Sequence, residues 1–160
     1  MSGLREKVEN FLYKEARLMD ENHFMEWFEL FADPCLYWIP ANQEDYDPNF
    51  HVSLFYGDRA IVNNHVIRLS EGKAFAQEPR SRMRRVVSNI EIEDGGPDMQ
   101  GEVSVHANFI INEIRKHEQR YHTGRSHYKL VPENGDFRIR YKKAVLVSLD
   151  EAQDNLTFLV

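Results

Sequence analysis

Arg80, Arg82, Arg84 and Arg85 crowd six positions of "EPRSRMRRVVSNIEIE". Such a row of guanidinium groups fits three kinds of chemistry: clamping a phosphate or other anion, docking on another protein, or pairing with local acids at a solvated strand entrance. At strand spacing, Arg80, Arg82 and Arg84 point to one face and Arg85 to the other. Like charges along one face repel, so an acidic partner is the natural resolution. Glu91 and Glu93 are the local candidates.

The histidines offer a second possibility. Glu113, His117 and His122 spell E-x3-H-x4-H, the ligand types of a two-histidine, one-carboxylate iron site. The stretch reads as two strands around a turn, where odd separations put residues on opposite faces. In a helix, the two histidines would lie about 140° apart. Polar hairpin residues are therefore the expectation. Asp33, Tyr37, Tyr56, His65 and His106 are the residue types of an acid–base pair in an enclosed pocket, although nothing in their spacing requires them to meet. No G-x-S-x-G elbow, P-loop or dinucleotide fingerprint occurs, and Cys35 carries no nucleophile signature.

These residues need elements to position them. Leu4, Val8, Phe11, Leu12, Ala16 and Met19 make one amphipathic helical face. "DEN" breaks it, and Asn22 is the expected N-cap of a second helix carrying Phe24, Trp27, Phe28 and Phe31 as a core stripe. Pro34 should end that helix. "CLYWIPA" reads as a strand, with Tyr37 and Ile39 opposite Leu36 and Trp38, and Pro40 marks its edge or end. An acidic loop, "NQEDYDPNF", precedes a short strand, "HVSLFYG". Asp58 then caps a third helix that Gly72 closes. After Pro79 the pattern alternates in long strands, with turns at "DGGPD" and at the Asn134-Gly135 hairpin signal.

Helices followed by long antiparallel strands make an α+β domain, a single one over residues 1–160. Strands of this length must curl. The expected form is a cone-shaped, strongly curved antiparallel sheet with about three helices on its concave face.

Composition narrows the function. Twenty basic and 26 acidic side chains leave a formal charge of −6, which opposes a nucleic-acid role. One cysteine builds no disulfide and no cysteine-ligated zinc or iron–sulfur centre within the chain. "MSGLREKVEN" lacks the apolar core of a signal peptide, so the "NLT" at Asn155 carries no meaning as a glycosylation site. No apolar run approaches a membrane span of about 20 residues. A cytoplasmic protein is expected.

Three stretches together resemble a known family. "FLYKEARLMDENHFMEWFELFADPCLYWIPA", "EPRSRMRRVVSNIEIE" and "GRSHYKLVPENGDFRIRYKKAVLVSLDEAQDNLTFL" are similar, in order and spacing, to the small (beta) subunit of aromatic-ring-hydroxylating dioxygenases. The resemblance implies a nuclear transport factor 2-like cone. It implies three small subunits in contact with one another and assembled with three large (alpha) subunits. The large subunit holds the Rieske [2Fe-2S] cluster and the mononuclear non-haem iron, with electrons from NAD(P)H through a reductase, with or without a ferredoxin. The small subunit is then mainly structural, with no cofactor of its own, and Arg80, Arg82, Arg84 and Arg85 help dock it. The substrate would be a single-ring, possibly carboxylated aromatic. The rival reading is a stand-alone cone-fold dehydratase or isomerase using the pocket set Asp33, Tyr37, Tyr56, His65 and His106.

Overall fold

The computed structural model describes residues 3–71, 80–94, 101–151 and 160. Gly72, Pro79, the turn at 95–98 and Asn155 lie outside the described residues. Helix α1 (Leu4–Asp20) buries Val8, Phe11, Leu12, Leu18 and Met19, together with two acids, Glu15 and Asp20. Leu4, expected on the buried stripe, is 38% exposed.

The second helix departs from expectation. Asn22 adopts a left-handed φ of 60°, so the chain turns there and His23 becomes the N-cap residue of α2 (Phe24–Phe28). The helix is one short turn, and Phe31 belongs to strand β1 (Phe31–Pro40) instead. Pro34 therefore does not stop a helix. It sits inside β1, after a cis Asp33–Pro34 peptide, where pairing with the strand that carries Ile139 and Tyr141 is interrupted between Phe31 and Leu36. Phe24, Trp27, Phe28 and Phe31 are still buried as the expected core stripe, and Tyr37 joins Trp27 and Phe31, the three rings meeting edge to face at 4.8–6.1 Å.

Strand β2 (Ser53–Asp58) runs into α3 (Arg59–Ser70), where the Asp58 carboxylate accepts from the Ile61 N–H as the expected cap. The long strands β3 (Arg82–Asp94), β4 (Val103–Arg115), β5 (Glu118–Glu133) and β6 (Asp136–Leu146) follow as a meander. The sheet order is β2-β1-β6-β5-β4-β3. The pairs are antiparallel except β1 with β6, which is parallel, so the sheet is mixed rather than wholly antiparallel. Two tight turns close the meander. Lys116-His117 and Asn134-Gly135 both take positive φ at two successive residues, the hairpin geometry that matches strand twist.

Helix α1 packs on β3 and β6, and α3 on β1 and β2, so one face of the sheet is covered and the other is open. Val105, Ala107, Ile111, Leu130, Ile139, Ala144 and Leu146 point to the covered side. Two bulges reset the alternation. In β3 it slips between Ser88 and Glu91, where Asn89 has a φ of 52°. Between β5 and β6, Leu130 faces Ile139 while Lys129 faces Tyr141, leaving Arg140 as the extra residue. That second bulge turns Lys142 inward.

Candidate functional site

The interior of the cone is polar at its centre. Lys142 is 1% exposed and its Nζ donates to Glu15 Oε1, itself on a residue 3% exposed. Tyr128 OH lies 3.4 Å from the same carboxylate oxygen. The ammonium also stands 5.4 Å from the ring centres of Tyr37 and Tyr128 and 6.0 Å from that of Trp27, an aromatic cage for a cation. Burial pushes the Lys142 amine below the usual lysine range, and the Glu15 charge opposes that shift. Burial raises both tyrosine hydroxyls, so they stay protonated donors. Tyr37 OH donates to the Val160 carbonyl, and Val160 closes the same space. The cavity left among Glu15, Arg85, Phe109, Tyr128, Lys142 and Val160 is about 20 Å³. It holds a water molecule at most; a cavity that takes benzene measures about 150 Å³.

The arginines divide as the strand alternation requires. Arg85 turns inward, its Nε 2.7 Å from Asp20 Oδ1 while its backbone N–H donates to Oδ2 at 2.9 Å. Both side chains of that pair are nearly out of water, at 5% and 2% exposure. Arg85 thus serves the fold of its own chain. Arg80, just before β3, donates to the Leu69 carbonyl at 2.7 Å and lies over the Phe24 ring. Arg84 is exposed, 3.8 Å from Glu21, and Arg82 is exposed on the same side. Glu91 and Glu93 are not their partners: Glu91 binds Arg125 at 2.8 Å, and Glu93 lies 3.7 Å from His106.

The acid–base set does not converge. Tyr37 is in the interior, and Phe55 stands between it and His65, with ring centres 5.2 and 5.6 Å away. Asp33 is exposed in a separate groove with Arg59 and Arg138. Tyr56 and His106 lie on the open face of the sheet. There the register builds one rung across five strands, with His106 opposite His127, His127 opposite Lys143, Lys143 opposite Trp38 and Trp38 opposite Tyr56. Cys35 is buried, and burial raises its thiol to about 11, which removes it as a nucleophile at neutral pH.

Glu113 and His122 do meet, at 3.1 Å, on the covered face, because the β4–β5 register sets them diagonally across the hairpin. Face parity counted along one strand does not carry across a turn, and that is why they were expected apart. His117 sits in the turn itself and is exposed. Glu113 spends its other oxygen on Ser81. Among the described residues, no three His, Cys, Asp or Glu side chains are grouped to hold a metal, and no helix is long and apolar enough to cross a membrane.

Sequence reasoning missed Glu15 and Lys142. Glu15 had a signal: it sits four residues after Phe11, on the apolar stripe. Lys142 had none, since strict alternation from Phe137 and Ile139 would place Tyr141 inside.

Comparison with known proteins joins this geometry to a family. The description "Ring hydroxylating beta subunit" matches residues 14–149. The small oxygenase component of the p-cumate 2,3-dioxygenase system of Pseudomonas putida is 34% identical over 89% of the chain and 78% of its own length. The toluate 1,2-dioxygenase subunit beta of Pseudomonas putida is 34% identical over 54% of the chain, a stretch spanning 57% of that relative. The crystal structure of the beta subunit of benzoate 1,2-dioxygenase from Burkholderia mallei shares the fold at a TM-score of 0.77 and 23% identity, covering 99% of each chain. The chain belongs to the ring hydroxylating beta subunit family.

Proposed function

We propose that this chain is the structural small subunit of an aromatic-ring-hydroxylating dioxygenase and takes no part in the chemical step itself. The observation that carries the reading is the family match over residues 14–149, joined to an interior in which the described side chains around Lys142 leave a cavity of only about 20 Å³. The Lys142–Glu15 pair lines that small cavity and is itself almost wholly out of water. A Rieske cluster needs two cysteines and two histidines, and the one cysteine here is buried. The cluster and the mononuclear iron therefore belong to a large subunit, which receives electrons from NAD(P)H through a reductase, with or without a ferredoxin.

Assembly as three large and three small subunits, with the small subunits touching one another, follows from the same reading. The p-cumate and toluate systems act on substituted single rings, which supports a single-ring, possibly carboxylated aromatic substrate. Location in the cytoplasm belongs to the same reading, and no described helix is long and apolar enough to cross a membrane.

Co-expression with a large (alpha) subunit of the same dioxygenase class tests the proposal. The two chains should purify together and dihydroxylate a member of a panel of single-ring aromatics. The small chain alone should hold no stoichiometric iron and show no oxygenase turnover. Tightly bound iron at one per isolated chain, with turnover, would overturn it.

A further inference from the structure

We infer that the interior binds one structural water molecule, which bridges the Arg85 guanidinium to the Glu15 carboxylate. Both side chains are nearly out of water, at 5% and 3% exposure, and each has one end engaged and one end free. Arg85 Nε donates to Asp20 Oδ1 at 2.7 Å and Nη1 reaches Met19 Sδ at 3.4 Å, while Nη2 is buried with no hydrogen-bond partner. Glu15 Oε1 accepts from Lys142 Nζ and faces Tyr128 OH, while Oε2 is buried with no partner. The two unpartnered atoms do not bond each other, yet both residues line one cavity of about 20 Å³.

Size, charge and bonding select the guest. A water molecule needs about 10–15 Å³ and two to four polar partners, so the cavity admits one water and nothing larger. The charges around it balance, since Arg85 pairs with Asp20 and Lys142 with Glu15, and a neutral guest fits where an ion does not. That guest must accept and donate at once, because Nη2 offers only hydrogen and an ionised Oε2 only lone pairs. Water does both. Leaving either charged group short of a partner would carry its full desolvation penalty.

A third partner is at hand. Ser126, buried on β5, lines the same cavity and offers a hydroxyl oxygen to the second hydrogen of the water. The bridge joins the Asp20–Arg85 pair to the Glu15–Lys142 pair. Helix α1, which carries both acids, is thereby tied to β3, β5 and β6 through one polar network. A buried network whose members are all satisfied rigidifies the core around it. The bridge requires nothing of the assembly proposed above.

A crystal structure of the full chain, at a resolution that orders single waters, tests the bridge, and oxygen-17 relaxation dispersion counts long-lived internal waters in solution. One water is expected within hydrogen-bond distance of both Arg85 Nη2 and Glu15 Oε2. Arg85→Lys keeps a cation beside Asp20 but removes the second guanidinium nitrogen. It should hold one long-lived water fewer than the parent, while circular dichroism reports an unchanged fold. His117→Ala, in the exposed turn, should keep the parent's count. Direct contact between Nη2 and Oε2, a cavity without water density, or an unchanged count in a folded Arg85→Lys chain would overturn the proposal. The parent crystal structure decides alone where Arg85→Lys fails to fold.

Discussion

Lys142 and Glu15 show how one buried pair shapes the interior. Each charge is stranded without the other, because both are almost wholly out of water. Removing either partner should cost about 3–5 kcal/mol, since an uncompensated charge remains. Replacing both with apolar residues of similar size, Glu15→Leu with Lys142→Met, should cost far less or even stabilise the chain. Denaturant unfolding of the two single variants and the double variant measures the coupling; additive losses would show that the two side chains do not interact. The same residues mark the limit of reading single positions from sequence. The inward Arg85 and outward Arg82 and Arg84 follow from plain alternation, and the structure keeps them so. Lys142 depends on a bulge at Arg140 that no residue type announces. Tyr56, His65 and His106 failed to meet Tyr37 because pocket membership depends on which face of which strand they occupy, and composition holds no such information.

At the scale of elements, the aromatic helix was legible in its core and not at its ends. Trp27 has no exposed surface and packs against Phe31 and Tyr37. Trp27→Ala should destabilise the fold by about 3–5 kcal/mol, read as a drop in denaturation midpoint; a variant that unfolds like the parent would contradict this packing. Periodicity places Phe31 on that helix equally well, yet the helix ends at Phe28 with Glu29 as its C-cap, and Phe31 enters β1. Helix α3 carries a pH dependence. Burial, and secondarily the Arg68 charge, hold His65 below the ordinary histidine value of 6.5, and its Nε2 is buried with no hydrogen-bond partner. The unfolded chain takes up that proton at higher pH than the folded chain. Stability is therefore lost as pH falls below 6.5 toward the lower folded value. Unfolding curves from about pH 7.5 to 5.5 should show a smaller acid loss in His65→Gln than in the parent. Parallel losses would mean that the ring binds its proton equally in both states.

For the whole molecule, the question is which surface meets another chain. Strand β3 ends the sheet, so its outer edge has no strand beside it among the described residues. A long free edge invites pairing and is normally covered or charged. On the open face, Val86 and Ile110 are register partners, 61% and 50% exposed, and they stand beside Arg84 and Arg82 along β3. Arginine next to exposed apolar side chains is the composition of a protein interface. Arg80 and Arg85 contribute less to such a surface, since each head group is engaged within the chain. Charge reversal at Arg82 or Arg84 should therefore weaken assembly with the fold retained. Breaking one partner of a desolvated interfacial pair costs about 2–5 kcal/mol, whereas a solvated surface pair such as Arg84 with Glu21 accounts for less than about 1 kcal/mol. Arg82→Glu and Arg84→Glu, made singly, separate the cases when size is followed by light scattering and fold by circular dichroism. Smaller species with native secondary structure are expected. Assemblies that stay intact on dilution for both variants would return these two arginines to a solvated strand entrance. Loss of secondary structure would instead assign them to the chain's own fold, as Arg85 already is.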